Sequence, residues 1–234
     1  MPSTTWQIWR FIADIFHGLG KITARHLTNL VQLAGHQFYD AVVDSSEGSP
    51  RAVFPVGYMA KRVKFRPEWL DARNVEDIYS VSRCLSEDFA DYWQYSQHNL
   101  SGFFDAPGII VRLATDNSID LSGTSLFFYE THELEFEEPG GTWKSFHPTN
   151  SLMNQIVSPQ KTILEGFDIV TINGTGGVEC SPLSCDSLAR EIDTNRHCLL
   201  TSLERAQELL SRGKLSDAAP GARRIFAVYS AQWP

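Results

Sequence analysis

The stretch 166–200 carries more reactive and conformationally unusual residues than any other part of the chain. It contains three of the four cysteines, a glycine-rich turn at 173–177 and one histidine. The apolar, β-branched run 167–172 before that turn is typical of a largely buried strand. Any fold that buries this strand must also place the neighbouring cysteines and glycines against its core.

A helix is predicted directly after the glycine turn. Ser181 supplies an N-cap hydroxyl, and Pro182 suits the first helical position, where its missing N–H costs nothing. From Cys185 onwards, apolar residues recur at helical spacing, which turns Cys185 towards the core. Cys180 lies just before the cap, where unpaired N–H groups and the helix dipole favour a thiolate. We therefore predict a helix over 182–192 with Cys180 at its N-terminus.

Several kinds of binding site compete for this stretch. A dinucleotide fingerprint is excluded because its third glycine would fall on Glu179, and no Gly-Lys-Ser/Thr follows to make a P-loop. A zinc site would draw on four residues, Cys180, Cys185, His197 and Cys198. In an extended segment, however, His197 and Cys198 point to opposite sides, so one of them joins easily at most. The favoured interpretation is buried cysteines that fill the core, with no metal and no cofactor.

The catalytic alternative is a thiol nucleophile at Cys180. A nearby base and a helix N-terminus both activate sulfur. The alternating segment 125–137 predicts a long strand that places Glu130 and His132 on one otherwise apolar face. On this hypothesis, His197 or His132 is the base for Cys180 and Glu130 is the orienting carboxylate. The other explanation of Glu130 and His132 is a mutually satisfied polar pair near a strand end.

The pattern of apolar residues divides the chain into three parts. An N-terminal helical hairpin is predicted over 1–43, a linker over 44–50 and a single α+β domain over 51–234. Within the domain, helices are predicted from Pro67 and over 74–81, 87–97, 107–116 and 202–212, and strands over 52–58, 125–137, 143–148, 167–172 and 224–231. Helices grouped early and then mixed with strands predict an α+β fold with a mixed or antiparallel sheet and helices packed on it.

Composition narrows the classes of function. The net charge is −8 and the lysines and arginines are scattered, so the basic footprint of a nucleic-acid-binding protein is missing. No apolar run is long enough to span a membrane, and the absence of secretory-signal features predicts a cytoplasmic protein with free thiols.

The primary functional prediction is a soluble acidic interaction protein. It binds another protein, or a second copy of itself, through the hairpin 1–43, and an antitoxin or immunity factor that inhibits its partner is one form of this class. The alternative is a cysteine-dependent hydrolase or transferase with its nucleophile at the glycine turn.

Overall fold

An antiparallel sheet dominates the described part of the chain. The structure is a computed structural model that describes residues 53–82, 84, 87–88, 98–99, 102–138, 140–145, 156–172 and 177–234. The regular elements among these residues are, in chain order, β1 (Val53–Arg62), β2 (Lys64–Phe65), β3 (Asp77–Ile78), β4 (Glu87–Asp88), α1 (Pro107–Asp116), β5 (Ser125–Glu137), β6 (Thr142–Ser145), β7 (Thr162–Ile172), a 3-10 helix (Leu188–Arg190), α2 (Leu203–Ser211) and β8 (Ala222–Ala231).

The main sheet has six strands in the order β4-β1-β5-β8-β7, with β6 paired to β5. Every pair in it is antiparallel. β8, which contains the strand predicted over 224–231, lies between β5 and β7 in the interior of the sheet. β2 and β3 form a separate antiparallel pair.

Alternate residues of β8 pack into different parts of the core. Phe226 and Val228 join a cluster of strand residues and irregular segments on one face. Ile225 joins the cluster that contains the apolar side of α2, and Tyr229 packs against the cluster that contains α1. Because β8 is covered on both faces, its residues from Arg223 to Val228 are continuously buried. The two helices therefore cover one face of the sheet, and irregular segments cover the other.

The predicted α+β fold class is wrong for the described part of the chain. The described residues form mostly antiparallel sheet and hold two α-helices, α1 and α2. Both helices were predicted, over 107–116 and 202–212, but no α-helix forms in the described parts of the others, and residues 89–97 of one of them lie outside the described residues. The predicted helical hairpin 1–43 and linker 44–50 lie outside the described residues.

The segment predicted as a helix over 74–81 is held by long-range backbone contacts instead. The N–H groups of Glu76 and Asp77 donate to the Arg196 carbonyl at 2.8 and 3.2 Å, and the Tyr79 N–H donates to the His197 carbonyl at 3.1 Å. These bonds replace the i to i−4 bonds of a helix. The beginning of the helix predicted over 87–97 is also wrong, since Glu87–Asp88 pairs with β1.

The helix predicted over 182–192 is reduced to turns and a short 3-10 helix. The Cys185 N–H donates to the Ser181 carbonyl at 2.8 Å, so one turn does form. Ser187 then takes the left-handed conformation, with φ of 62°, which stops a right-handed helix. The Ser181 hydroxyl donates to Asp168 at 2.6 Å. Cys180 is therefore not at the N-terminus of an α-helix.

Candidate functional site

A buried lysine holds the segment Ser80–Ser82 against the sheet. Lys61, near the end of β1, is 1% exposed. Its ammonium donates to the carbonyl oxygens of Ser80, Val81 and Ser82 at 2.7, 2.9 and 3.0 Å. A buried ammonium is tolerated only when its N–H groups are paired, and three carbonyls satisfy that requirement. The segment is therefore fixed on its side facing β1.

A buried aspartate fixes the other side of the same segment. Asp168 in β7 accepts from the Ser80 hydroxyl and the Val81 N–H, both at 2.8 Å, and from the Ser181 hydroxyl at 2.6 Å. Complete burial raises the pKa of Asp168, and the hydrogen bonds from Ser181, Ser80 and Val81, followed by the charge of Lys61, oppose that rise. Asp168 thus ties two irregular segments to the sheet at one point.

Three cysteines converge beside this anchored segment. The sulfur atoms of Cys84, Cys180 and Cys185 all lie within 4.8 Å of one another. The Cys84 and Cys180 sulfurs are 3.3 Å apart, and the Cys185 sulfur is 3.4 Å from the Ser82 hydroxyl oxygen. All three are free thiols, and Cys84 is exposed to solvent. Cys198, which the sequence grouped with Cys180 and Cys185, is completely buried in the core cluster around α2.

The environment of Cys180 does not activate it as a nucleophile. Burial first, and then the neighbouring Cys84 and Cys185 thiols, together raise the pKa of the Cys180 thiol to about 12. The predicted activating helix is absent, so no helix dipole offsets this rise. At neutral pH the isolated thiol is therefore protonated, whereas a nucleophilic cysteine needs its thiolate.

His197 is buried among polar partners of its own. Its Nδ1 lies 2.5 Å from an Asp77 carboxylate oxygen, and its Nε2 accepts a hydrogen bond from Arg196 Nε at 3.0 Å. A Glu165 oxygen is 3.6 Å from the same Nε2, and the ring stacks on Tyr79 with centroids 3.9 Å apart. With Nε2 accepting, Nδ1 carries the proton and donates to Asp77. The ring is thus fixed in one orientation and connects three segments of the fold.

Glu130 and His132 have separate partners. Glu130 accepts a hydrogen bond from the Tyr229 hydroxyl at 2.7 Å. His132 Nδ1 accepts from the Leu134 N–H at 3.1 Å, and its Nε2 lies 3.4 Å from the Gln207 side-chain nitrogen. Among the described contacts, none joins Cys180 to Glu130, His132 or His197. These contacts therefore do not bring the four predicted catalytic residues together, and a catalytic role for them stays a prediction.

An exposed turn carries two large aromatic side chains. We call residues 64–69 the aromatic turn. Phe65 is 87% exposed and Trp69 is 51% exposed. The turn is nevertheless ordered by pairing of β2 with β3, by the Arg66 N–H donating to the Glu76 carbonyl at 2.9 Å, and by its guanidinium donating to the Leu70 carbonyl at 3.0 Å. A fixed backbone here holds two large aromatic side chains in solvent.

Comparison with protein-family models, with curated proteins and with solved structures finds no match for this chain. Among the described residues, no helix is long and apolar enough to cross a membrane.

Sequence reasoning missed several residues of these sites. Cys84 is the fourth cysteine, but it lies far from the stretch 166–200 and forms no metal-binding motif with it. Asp168 did leave a signal, because a carboxylate in the middle of an apolar strand needs buried partners. Lys61, directly after the apolar run 56–60, is likewise a charged residue whose position indicates that it needs buried partners. Phe65 and Trp69 carry no signal of exposure, since most aromatic residues are buried.

Proposed function

We propose that this protein is an acidic interaction protein and that the aromatic turn is a docking surface for a protein partner. The observation that carries the proposal is the exposure of Phe65, at 87%, on a backbone that is fixed by hydrogen bonds. Exposed apolar groups on a rigid scaffold are typical of binding sites, because little entropy is lost when they dock. Aromatic residues are also enriched among the residues that dominate binding energy.

The charges around the turn indicate the chemistry of the partner. Arg62, Lys64 and Arg66 are all exposed and flank Phe65, although the chain as a whole has a net charge of −8. Glu68 is the one exposed carboxylate within the turn. A fitting partner therefore offers an apolar pocket for Phe65 and Trp69 with carboxylates on the rim next to Arg62, Lys64 and Arg66. The predicted docking through the hairpin 1–43 lies outside the described residues and stays a prediction.

A photoreactive group at the turn tests the proposal. Full-length protein carrying p-benzoylphenylalanine at position 65 is irradiated in cell extract, and the cross-linked product is identified by mass spectrometry. The matched control carries the same group at Ile163, an apolar β7 residue that is 67% exposed. We expect one dominant partner at position 65 that is absent at position 163. Equal capture at both positions, or cross-links only within the same chain, would contradict a docking role.

Binding of the purified partner is expected to depend on both aromatic side chains. Phe65→Ser with Trp69→Ser should weaken affinity by about 700-fold, since each buried aromatic anchor contributes about 2 kcal/mol, or about 30-fold. A separate variant, Lys64→Glu with Arg66→Glu, should also bind the partner more weakly than the wild type does, because the new carboxylates repel acidic groups on the partner. Ile163→Ser should bind as the wild type does. Titration calorimetry measures all four proteins, and unchanged affinity in the double aromatic variant would exclude the turn as the docking surface.

The cysteine-dependent enzyme receives less support, and its central residue can be tested directly. In protein freed of metal by a chelator, alkylation of Cys180 by iodoacetamide should be slow at neutral pH and should accelerate through the alkaline range, because burial and neighbouring thiols raise the pKa of Cys180 to about 12. Peptide mass spectrometry reports the labelled position. A labelling rate that levels off near neutral pH would show that Cys180 is already a thiolate there and would support a role for it as a nucleophile.

A further inference from the structure

We propose that Cys84, Cys180 and Cys185 are three ligands of a zinc ion whose fourth position is open to water. The three sulfurs come from two distant parts of the chain, residue 84 and the segment 180–185, and all lie within 4.8 Å of one another. Thiolate sulfur is a preferred zinc ligand, and three protein ligands with a water in the fourth position form a known class of zinc site. This inference is independent of the docking surface.

The spacing of the sulfurs fits a zinc ion better than a disulfide. In a tetrahedral site with Zn–S distances of about 2.3 Å, ligand sulfurs lie about 3.8 Å apart. The Cys84 to Cys180 distance is 3.3 Å, and the largest of the three separations is within 4.8 Å, so shifts below about 1 Å complete the geometry. A disulfide would use only two of these sulfurs at about 2.05 Å and would leave the third without a role.

Hydrogen bonds hold the backbone groups of Cys84 and Cys180 before any metal binds. The Cys84 N–H donates to the Ser82 hydroxyl at 3.2 Å, and the Ser82 carbonyl is held by Lys61. On the other side, the Cys180 carbonyl accepts from the Thr171 N–H of β7 at 2.8 Å. Ligands that are held by outer hydrogen bonds bind metal without a further ordering cost.

Charge and access also suit such a centre. A zinc ion with three thiolates has a net charge of −1, and the exposure of Cys84 lets solvent stabilise that charge. Cys84 is exposed, so an ion can enter and water can reach the fourth position. Binding displaces the three thiol protons into solvent. The bound ion would tie the segment around residue 84 to the segment 180–185, and both already meet at Asp168 through their neighbours.

Metal titration of the full-length, reduced protein tests the site. We expect one Co²⁺ per chain with a thiolate-to-cobalt charge-transfer band, displaced by one equivalent of Zn²⁺. Saturating Zn²⁺ should raise the Tm by about 5 to 10 °C, because an ion that binds only the folded state stabilises it. No charge-transfer band, or a reduced protein whose thiols are unaffected by Zn²⁺, would overturn the proposal. A disulfide in the native protein would also overturn the proposal. It would lower the mass by two hydrogens and would prevent metal binding until the protein is reduced and unfolded.

Variants distinguish three ligands from general thiol binding. Cys84→Ser is the preferred variant because Cys84 is exposed, so its replacement should not disturb the core. It should weaken Zn²⁺ affinity by tenfold or more, since the loss of a residue that only hydrogen-bonds to a metal ligand already costs about 10- to 100-fold. The matched control is Cys198→Ala, which should keep one Zn²⁺ per chain. If a variant fails to fold, alkylation of wild-type protein with and without Zn²⁺ decides: zinc should protect residues 84, 180 and 185 and leave labelling of Cys198 unchanged. Protection of Cys198 alone, or loss of zinc only in Cys198→Ala, would overturn the assignment.

Discussion

Replacing Asp168 with alanine is expected to lower the free energy of unfolding by about 3 to 5 kcal/mol. The side chain is completely buried and accepts hydrogen bonds from the Ser80 hydroxyl, the Val81 N–H and the Ser181 hydroxyl. Alanine would leave these three donors unpaired and would remove a negative charge that interacts with the buried Lys61. Urea denaturation followed by circular dichroism gives the change by linear extrapolation.

Two further variants show whether burial causes this loss. Asp168→Asn keeps the volume and one acceptor oxygen, so its loss should be smaller than that of alanine. Asp120→Ala removes a fully exposed carboxylate that accepts from the Ser122 N–H at 2.8 Å, and its urea midpoint should barely change. Equal shifts for Asp168→Ala and Asp120→Ala would show that the buried hydrogen bonds do not hold the segment Ser80–Ser82 in place.

Elements with a strong local pattern were predicted closely. The alternation over 125–137 coincides with β5, and the apolar run 224–231 lies within β8, because each pattern reports a strand with a buried face. α2 begins after Ser202, whose hydroxyl accepts from the Arg205 N–H at 3.2 Å, so its cap is encoded in a few neighbouring residues. These elements need no information from distant parts of the chain.

The helices that failed depend on distant partners. The segment predicted as a helix over 74–81 instead contains the short strand β3, and its Val75 and Ile78 side chains are buried in the core cluster around α2. Carbonyl groups more than a hundred residues away, at Arg196 and His197, take the hydrogen bonds that a helix would have used. Local propensity is a weak guide where tertiary contacts offer the backbone equivalent partners. The fold class followed from these helices and was wrong for the same reason.

The candidate site was only partly accessible to sequence reasoning. The stretch 166–200 did supply two of the three clustered thiols, Cys180 and Cys185. The third, Cys84, joins them through the Lys61 and Asp168 contacts of the segment Ser80–Ser82, and no spacing rule relates it to the other two. A buried charge within an apolar strand was the one local sign that this region is tied to something remote.

Gly57→Ala is expected to destabilise the domain by about 2 to 5 kcal/mol. Gly57 lies at a bulge in β1 with φ of 126°, a conformation that L side chains rarely adopt. A Cβ atom there would be 2.5 Å from the Phe104 carbonyl oxygen and 2.9 Å from the Phe103 Cβ. Both phenylalanines are completely buried, and the backbone of Phe104 is bound to that of Tyr58 by two hydrogen bonds, so neither can move aside.

The matched control for this substitution is Gly108→Ala in the first turn of α1. Apart from its chain neighbours and the backbone of its own helix, no heavy atom lies within 4 Å of a Cβ placed at Gly108, and alanine favours helix over glycine by up to about 1 kcal/mol. The control should therefore be neutral or slightly stabilising, while Gly57→Ala lowers the urea midpoint and the Tm. Equal stability of the two variants would contradict this prediction. It would show that the bulge in β1 can move away from Phe104 without breaking the pairing of β1 with β5.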